Sequence, residues 1–127
     1  MNDLHAAWSV LKARVEELGA ERQQYLDLFE HACDAYVITD REGLISEANG
    51  AAVDLLQRRK QSLRGKPLAA LVPLLQRQEF RARLGSLRQA GRGLWRTVMR
   101  SGESVLEIDV AVRRSASGML FWRLRAV

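Results

Sequence analysis

The sequence has little of what marks several protein classes. It contains one cysteine, Cys33, and two prolines among 127 residues, and aromatic residues make up only 6%. A single cysteine excludes an intrachain disulfide and favours a reducing compartment. The longest apolar run, Leu68 to Leu75, is interrupted by Pro73. A membrane helix needs roughly 20 apolar residues, so the sequence predicts no membrane span.

The first five residues, MNDLH, also lack the basic start and following apolar stretch of a secretory signal. Together with the lone cysteine, this predicts a cytoplasmic protein. What is present fits a single ordinary domain, since 47% of the residues are hydrophobic and 28% are charged. Two full domains in a chain of this length would each have too little interior. We therefore expect one domain with one core.

The net charge of +5 comes mainly from arginine. Seven arginines and one acid, Glu79, lie between Arg77 and Arg100. Such a bias would suit a nucleic-acid reader. However, the stretch has no zinc-finger spacing, no aromatic ribonucleoprotein signature and no helix-turn-helix pattern. The sequence therefore argues against nucleic-acid binding and favours a solvated face or a contact for acidic neighbours.

A heptad pattern occupies the start of the chain, and we assign residues 1–24 to an N-terminal amphipathic helix. Seven of the eight seam residues are apolar, as expected for a coiled coil. The seam residues are Leu4, Trp8, Leu11, Val15, Leu18, Arg22, Tyr25 and Phe29. Gly19 and the charge of Arg22 weaken this prediction. Two interpretations stay open, namely a helix shared between two chains and a helix packed on its own domain.

The rest of the chain, residues 25–127, alternates between strand and helix patterns. Residues 106, 108, 110 and 112 are apolar and alternate with polar residues, which is typical of a half-buried strand. Asn49 lies at a strand-to-helix junction and is expected to be a structural cap. The predicted strands are 34–39, 44–47, 94–100, 103–114 and 119–127, and the predicted helices are 51–56, 68–72 and 74–89. This order predicts an α+β fold, a five-stranded antiparallel sheet with short helices on one face.

These residues resemble the PAS sensor domain over roughly residues 25–127. The resemblance rests on the runs LFEHACDAYVITDREGLISEANGAAVDLL, LRGKPLAALV and LFWRLRAV. It implies a five-stranded antiparallel sheet with helices on one face, often preceded by a dimerising helix. Two positions depart from the usual pattern. Gln57 stands where many members have glycine, and Ala126 stands where many have an aspartate that ties to a downstream linker.

The resemblance also limits which cofactors the domain is expected to bind. A photochemical flavin needs a cysteine on the helix over its ring, whereas Cys33 precedes the first strand and residues 65–90 contain none. Haem needs an axial ligand, and both histidines, His5 and His31, lie before the sheet. The sequence therefore argues against both groups. A non-covalent flavin stays open, because Trp95 and Trp122 could line a ring pocket, although core packing is favoured for them.

A small apolar ligand could instead lie between the sheet and the long helix. The residues expected to line such a site are Tyr36, Phe80, Leu84, Trp95, Thr97, Met99, Ile108 and Val110, with Leu71 and Leu75 on the helical wall. No nucleophile–base pair, phosphate-cradling glycine loop or metal-ligand cluster occurs, so neither an enzyme nor a metal site is predicted. Cys33 is expected to be a plain buried thiol.

The resemblance implies a sensory and interaction module of a bacterial signal-transduction protein, a kinase or a transcriptional regulator with an output domain. We expect a homodimer that forms through the N-terminal helix and the outer sheet face, because apolar residues occur on both faces of the last strand. The expected interface residues are Leu4, Trp8, Leu11, Val15, Leu18, Tyr25, Met119 and Phe121. The alternative is a small-molecule sensor that binds an apolar ligand or a non-covalent flavin.

Overall fold

The structure is a computed structural model that describes the backbone of residues 2–127 and the side chains of residues 6–7 and 9–127. It divides into two compact units, one up to Glu30 and one from His31 to Val127. The first unit is one helix, α1 (Asn2–Glu30), which continues through Gly19 without a break. The heptad pattern had predicted this helix.

The second unit is built on a sheet of five strands. The strands are β1 (Ala35–Thr39), β2 (Ile45–Ala48), β3 (Arg92–Ser101), β4 (Ser104–Arg114) and β5 (Leu120–Ala126). They lie in the order β2-β1-β5-β4-β3, and every neighbouring pair is antiparallel. The predicted α+β fold with a five-stranded antiparallel sheet is therefore confirmed.

The helices of this unit lie between β2 and β3 in sequence. They are α2 (Gly50–Leu56), α3 (Lys60–Leu63), a 3₁₀ helix (Leu68–Leu71) and α4 (Leu74–Ala90). Phe80 and Leu87 of α4 are buried, and α4 ends at Gly91 in the left-handed region that favours glycine. α3 is a single short turn of helix between α2 and the 3₁₀ helix.

The core lies between the helices and the inner sheet face. Its largest fully buried side chain is Trp122 of β5, whose ring stacks on Phe80 of α4 at 5.7 Å between centroids. Trp95 of β3 meets both rings edge-on. The indole Nε1 of Trp122 donates a hydrogen bond of 2.9 Å to Thr39 Oγ1, so the buried N–H is paired. One aromatic cluster thus joins two strands to the long helix.

Asn49 fixes the start of α2 against the sheet. Its fully buried side chain accepts hydrogen bonds from Ala52 N at 3.0 Å and from Tyr36 N at 2.9 Å, and it donates to Asp34 O at 2.9 Å. One amide therefore caps a helix and holds the edge of β1, the structural role expected for it.

Gln57 ends α2 with a φ of 55° and a ψ of 43°, in the left-handed region. Among the described residues it alone is a non-glycine with positive φ. This backbone explains why glycine suits the position in similar domains, since a Cβ is disfavoured there. The departure noted in the sequence therefore falls on a strained backbone position.

Candidate functional site

The interior between α4 and β3 is almost completely filled by side chains. One small cavity of about 10 Å³ lies between them and opens toward the surface, lined by Gln76, Glu79, Phe80, Arg83, Trp95, Arg96 and Thr97. A volume of this size is close to that of one water molecule. Arg83 lies over the Trp95 ring, with its guanidinium carbon 5.6 Å from the centroid.

Two polar atoms in this small cavity are notable. Trp95 is only 9% exposed, and within the described residues neither its Nε1 nor Gln76 Oε1 has a hydrogen-bond partner. Trp95 Nε1 is a hydrogen-bond donor, Gln76 Oε1 is a hydrogen-bond acceptor, and both residues line the same cavity. A buried polar group without a partner costs about 1–3 kcal/mol, so the pair marks the place where a small polar group is best accommodated.

The expected ligand-site residues fall into several places. Phe80, Trp95 and Thr97 line the small cavity. Met99, Ile108 and Val110 are buried in the core. Leu84 is partly buried, and it also lines a different cavity at one end of the sheet.

Three expected positions are wrong. Tyr36 was expected in the interior, but strand alternation places it on the outer face, where its ring lies 5.0 Å from that of Phe121. Leu75 was expected on the helical wall, yet it is 92% exposed because it lies on the opposite side of α4 from Phe80. Cys33 is exposed rather than buried, since it precedes β1 outside the core.

The residue that sequence reasoning missed in the interior is Gln76. It lies one helical turn before Phe80, so the spacing that identified the buried stripe of α4 also reaches it. Because its side chain is polar, it was not among the predicted lining residues.

The outer sheet face carries an apolar strip that we define as Tyr36, Leu94, Ala111 and Phe121. These four residues line a shallow groove of about 690 Å³ with Arg92, Gly93, Val112, Arg113 and Arg123. Tyr36, Arg123, Ala111 and Leu94 lie opposite one another on β1, β5, β4 and β3, and Leu94 is 77% exposed. The strip is therefore an apolar surface that Arg123 interrupts between Tyr36 and Ala111.

The structure places the expected interface residues on two surfaces. Phe121 belongs to the strip and is 41% exposed, while Met119 is half-buried just before β5. Leu11, Val15, Leu18 and Tyr25 are all exposed on α1. The remaining two, Leu4 and Trp8, lie outside the residues whose side chains are described.

The sequence already contained the signal for Leu94 and Ala111. Leu94 alternates with the buried Trp95, and Ala111 alternates with the buried Val110 and Val112. Period-two alternation assigns both to the outer face.

The beginning of β1 is joined to the end of β5 by an ion pair. Arg125 donates a hydrogen bond of 3.1 Å to Asp34, and this contact holds the pKa of the Asp34 carboxyl below its usual value. Within the part of the chain that the structure describes, no group of three acidic, histidine or cysteine side chains could hold a metal ion. No described helix combines the length and apolar content that crossing a bilayer requires.

An antiparallel five-stranded sheet with helices on one face, a filled interior and an apolar outer strip defines a small α+β domain of the kind found in signalling proteins. A family model described as the PAS fold matches residues 23–127. The chain therefore belongs to the PAS family, as its sequence motifs had indicated. No curated protein sequence matches the chain significantly.

Several solved structures are similar in fold. The PAS domain of an HTR-like protein from Haloarcula marismortui has a TM-score of 0.78 and 18% identity, over 91% of this chain and 99% of that chain. A domain of a sensory box sensor histidine kinase/response regulator from Geobacter sulfurreducens has a TM-score of 0.74 and 18% identity, over 85% and 96%.

A third similar structure is a PAS domain in complex with ethanol. It belongs to a LuxR-family transcriptional regulator from Burkholderia thailandensis, with a TM-score of 0.67 and 18% identity, over 81% of this chain and 96% of that chain. At these identities the likeness establishes the shared fold.

Proposed function

We propose that this PAS domain is a non-catalytic sensory and interaction module of a bacterial signalling protein, and that it forms a homodimer through α1 and the outer sheet face. The observation that supports the proposal is that two apolar surfaces are exposed and that the residues around them have opposite net charges. One is the α1 seam, represented by Leu11, Val15 and Leu18. The other is the outer-face strip.

The two units differ sharply in charge. Residues 1–30 contain six acidic and three basic residues, whereas residues 31–127 contain nine acidic and 17 basic residues. Arg123 lies within the strip, and Arg92 and Arg113 line the same groove. An acidic helix and an arginine-rich face attract one another, which supports a contact between α1 of one copy and the strip of the other, whereas pairing of α1 with α1 has to rest on apolar burial.

Apolar burial supplies the energy for such a dimer. Leu11, Val15 and Leu18 are exposed by 62%, 64% and 48%, and each would gain about 1.5–3 kcal/mol on complete burial. Paired helices bury their seams against each other by inserting each seam residue between residues of the facing helix. We infer that α1 contributes a coiled-coil contact, and that a dimer would deliver the module's signal to an output domain of a kinase or transcriptional regulator.

The seam is tested by the double variant Leu11→Asp/Leu18→Asp. We expect the wild-type chain to sediment at twice its mass of 14.4 kDa at micromolar concentration. The variant is expected to dissociate at least about a hundredfold more readily, because each dimer loses several buried leucine contacts and gains buried charge. Analytical ultracentrifugation measures both masses.

The control is Val10→Asp, which places one aspartate on an exposed residue outside the seam. Its mass should stay that of the wild type. A monomeric wild-type chain, or a double variant with unchanged oligomeric mass, would refute the seam. Phe121→Asp in the same assay tests the contribution of the strip.

A second candidate function, a small-molecule sensor, is supported by the unpartnered Trp95 Nε1 and Gln76 Oε1. A hydroxyl group can accept a hydrogen bond from Trp95 Nε1 and donate one to Gln76 Oε1. The PAS domain in complex with ethanol shows that a similar fold holds such a molecule. An organic hydroxyl compound needs more room than this cavity of 10 Å³, and a non-covalent flavin needs far more, so Phe80 and Trp95 would have to move for either to bind.

Native mass spectrometry of the chain purified from cells, together with its visible spectrum, separates these candidates. A retained mass beyond that of the chain supports the sensor, and absorption near 450 nm would identify a flavin. We expect a colourless chain whose ligand, if retained, is a small hydroxyl compound. A bare chain mass would leave the interaction module as the function and remove a tightly bound ligand.

A further inference from the structure

Three segments of the second unit meet at one end of the sheet and surround a cavity of about 650 Å³. They are the β1–β2 turn, the last turns of α4 and the β4–β5 loop. We call this space the loop cavity. Its lining residues are Arg41, Glu42, Leu84, Leu87, Arg88, Arg114, Ser115, Ala116, Ser117, Gly118 and Leu120. The loop cavity is separate from both the small cavity beside Trp95 and the outer-face strip.

The charge around the loop cavity is unbalanced. Arg41, Arg88 and Arg114 line it with a single acid, Glu42. Within the described residues, none of these three arginines forms an ion pair with a carboxylate, although five other arginines do. Three unneutralised guanidinium groups around one cavity create a local positive potential that favours an anion.

Arg114 is held in place by the end of α4. Its backbone N donates to Gly91 O at 2.8 Å, and its Nη1 donates to the carbonyl oxygen of Arg88. A cation is stabilised at the carboxyl end of a helix, so this guanidinium is fixed before any ligand arrives. A guanidinium has five N–H donors, and those that α4 does not use stay available to the cavity.

Arg41 is positioned by a rigid turn. Asp40 Oδ1 accepts from Glu42 N at 3.0 Å and from Leu44 N at 2.9 Å. Gly43 has a φ of 89°, and a Cβ at this position would lie only 3.0 Å from Leu84 Cδ2, so the turn packs directly on α4. The Arg41 guanidinium also reaches the β4–β5 loop, within 3.7 Å of the Cβ position of Gly118.

The floor of the loop cavity is formed by three leucines. Leu84 is partly exposed, whereas Leu87 and Leu120 lie beneath the surface and are each only 3% exposed. The volume of the cavity lies in the usual range for a small-molecule site. The site therefore favours an anionic group that carries a small apolar part against Leu84.

We propose that the loop cavity binds a small organic phosphate monoester, with its phosphate on Arg41, Arg88 and Arg114 and its organic group against Leu84. Guanidinium groups match phosphate oxygens with paired hydrogen bonds, and three cations suit a dianion better than a single carboxylate. This site does not depend on dimerisation or on the small cavity beside Trp95, so its test is separate from theirs.

The test uses the full chain, labelled with ¹⁵N, and adenosine monophosphate as the probe. We expect saturable amide shifts in residues 41–43 and 114–118. Adenosine should give none of these shifts, and inorganic phosphate should bind more weakly than the nucleotide because it makes no contact with Leu84. The variant Arg41→Gln/Arg88→Gln should weaken binding about tenfold or more, since two charged hydrogen-bonding groups are lost.

The control is Arg81→Gln/Arg100→Gln, which removes the same charge from exposed residues outside the cavity and should change affinity less than about twofold. Arg114 is kept because it also supports the end of α4. The proposal is overturned if the nucleotide gives no saturation below about 10 mM. Equal weakening in the control pair, or shifts centred on other arginines of α4 and β3, would overturn it as well.

Discussion

Replacing Asn49 by alanine is expected to lower the free energy of unfolding by about 3 kcal/mol. The change removes the cap of α2, which alone is worth about 0.5–2 kcal/mol. It also leaves the amide of Tyr36 and the carbonyl of Asp34 without the side-chain partner each has now. Asn49 is completely buried, so water does not readily replace these bonds.

Urea unfolding followed by circular dichroism measures this loss. The control is Asp54→Ala, an exposed position on the same helix, which should change the free energy of unfolding by less than about 0.5 kcal/mol. A loss of stability at Asn49 no larger than that of the control would contradict the view that one amide couples α2 to β1.

The second large effect is expected at Trp122, where an alanine should cost about 3–5 kcal/mol of unfolding free energy. The ring is 0% exposed and stacks on Phe80 at an interplanar angle of 17°. Trp95 packs against it edge-on, with 5.9 Å between centroids. Its removal leaves a cavity in the centre of the core that the neighbouring strands and α4 cannot fill.

The polar part of this effect can be measured separately. Thr39→Val removes the acceptor of the indole N–H and should cost about 1–3 kcal/mol, because the N–H is then buried without a partner. Trp122→Phe loses the same bond but keeps most of the ring. A double variant of Thr39 and Trp122 should therefore cost less than the two single variants together. If the losses of unfolding free energy in the two single variants simply add up in the double variant, the hydrogen bond contributes no measurable stability.

The sequence predicted most of the fold because its periodicities are strong. The alternation of Ile108, Val110 and Val112 located β4, and the heptads located α1. The boundaries were less accurate. β3 begins at Arg92, two residues before its predicted start, because pairing with Arg113 extends the strand through polar residues. Backbone pairing of this kind leaves no hydrophobic signal in the sequence.

The sites were predicted less well, for reasons that follow from the packing. Periodicity assigns a residue to a face, but it does not show whether side chains fill the space in front of that face. Phe80 and Trp95 were placed in the interior correctly, yet their rings close most of the volume between them. The loop cavity was missed because Arg41, Arg88 and Arg114 are far apart in sequence and come together only when the sheet forms.

The longest strand at the margin of the sheet has a further consequence. β3 is an edge strand of 10 residues, and Arg92, Arg96 and Arg100 follow one another along one side of it. If the β3 edge strands of two copies paired with each other, as strands do in amyloid fibrils, these guanidinium groups would lie close to those of the other copy. Like charges repel, so this pairing is disfavoured. The edge of the sheet thereby discourages open-ended pairing with a second sheet.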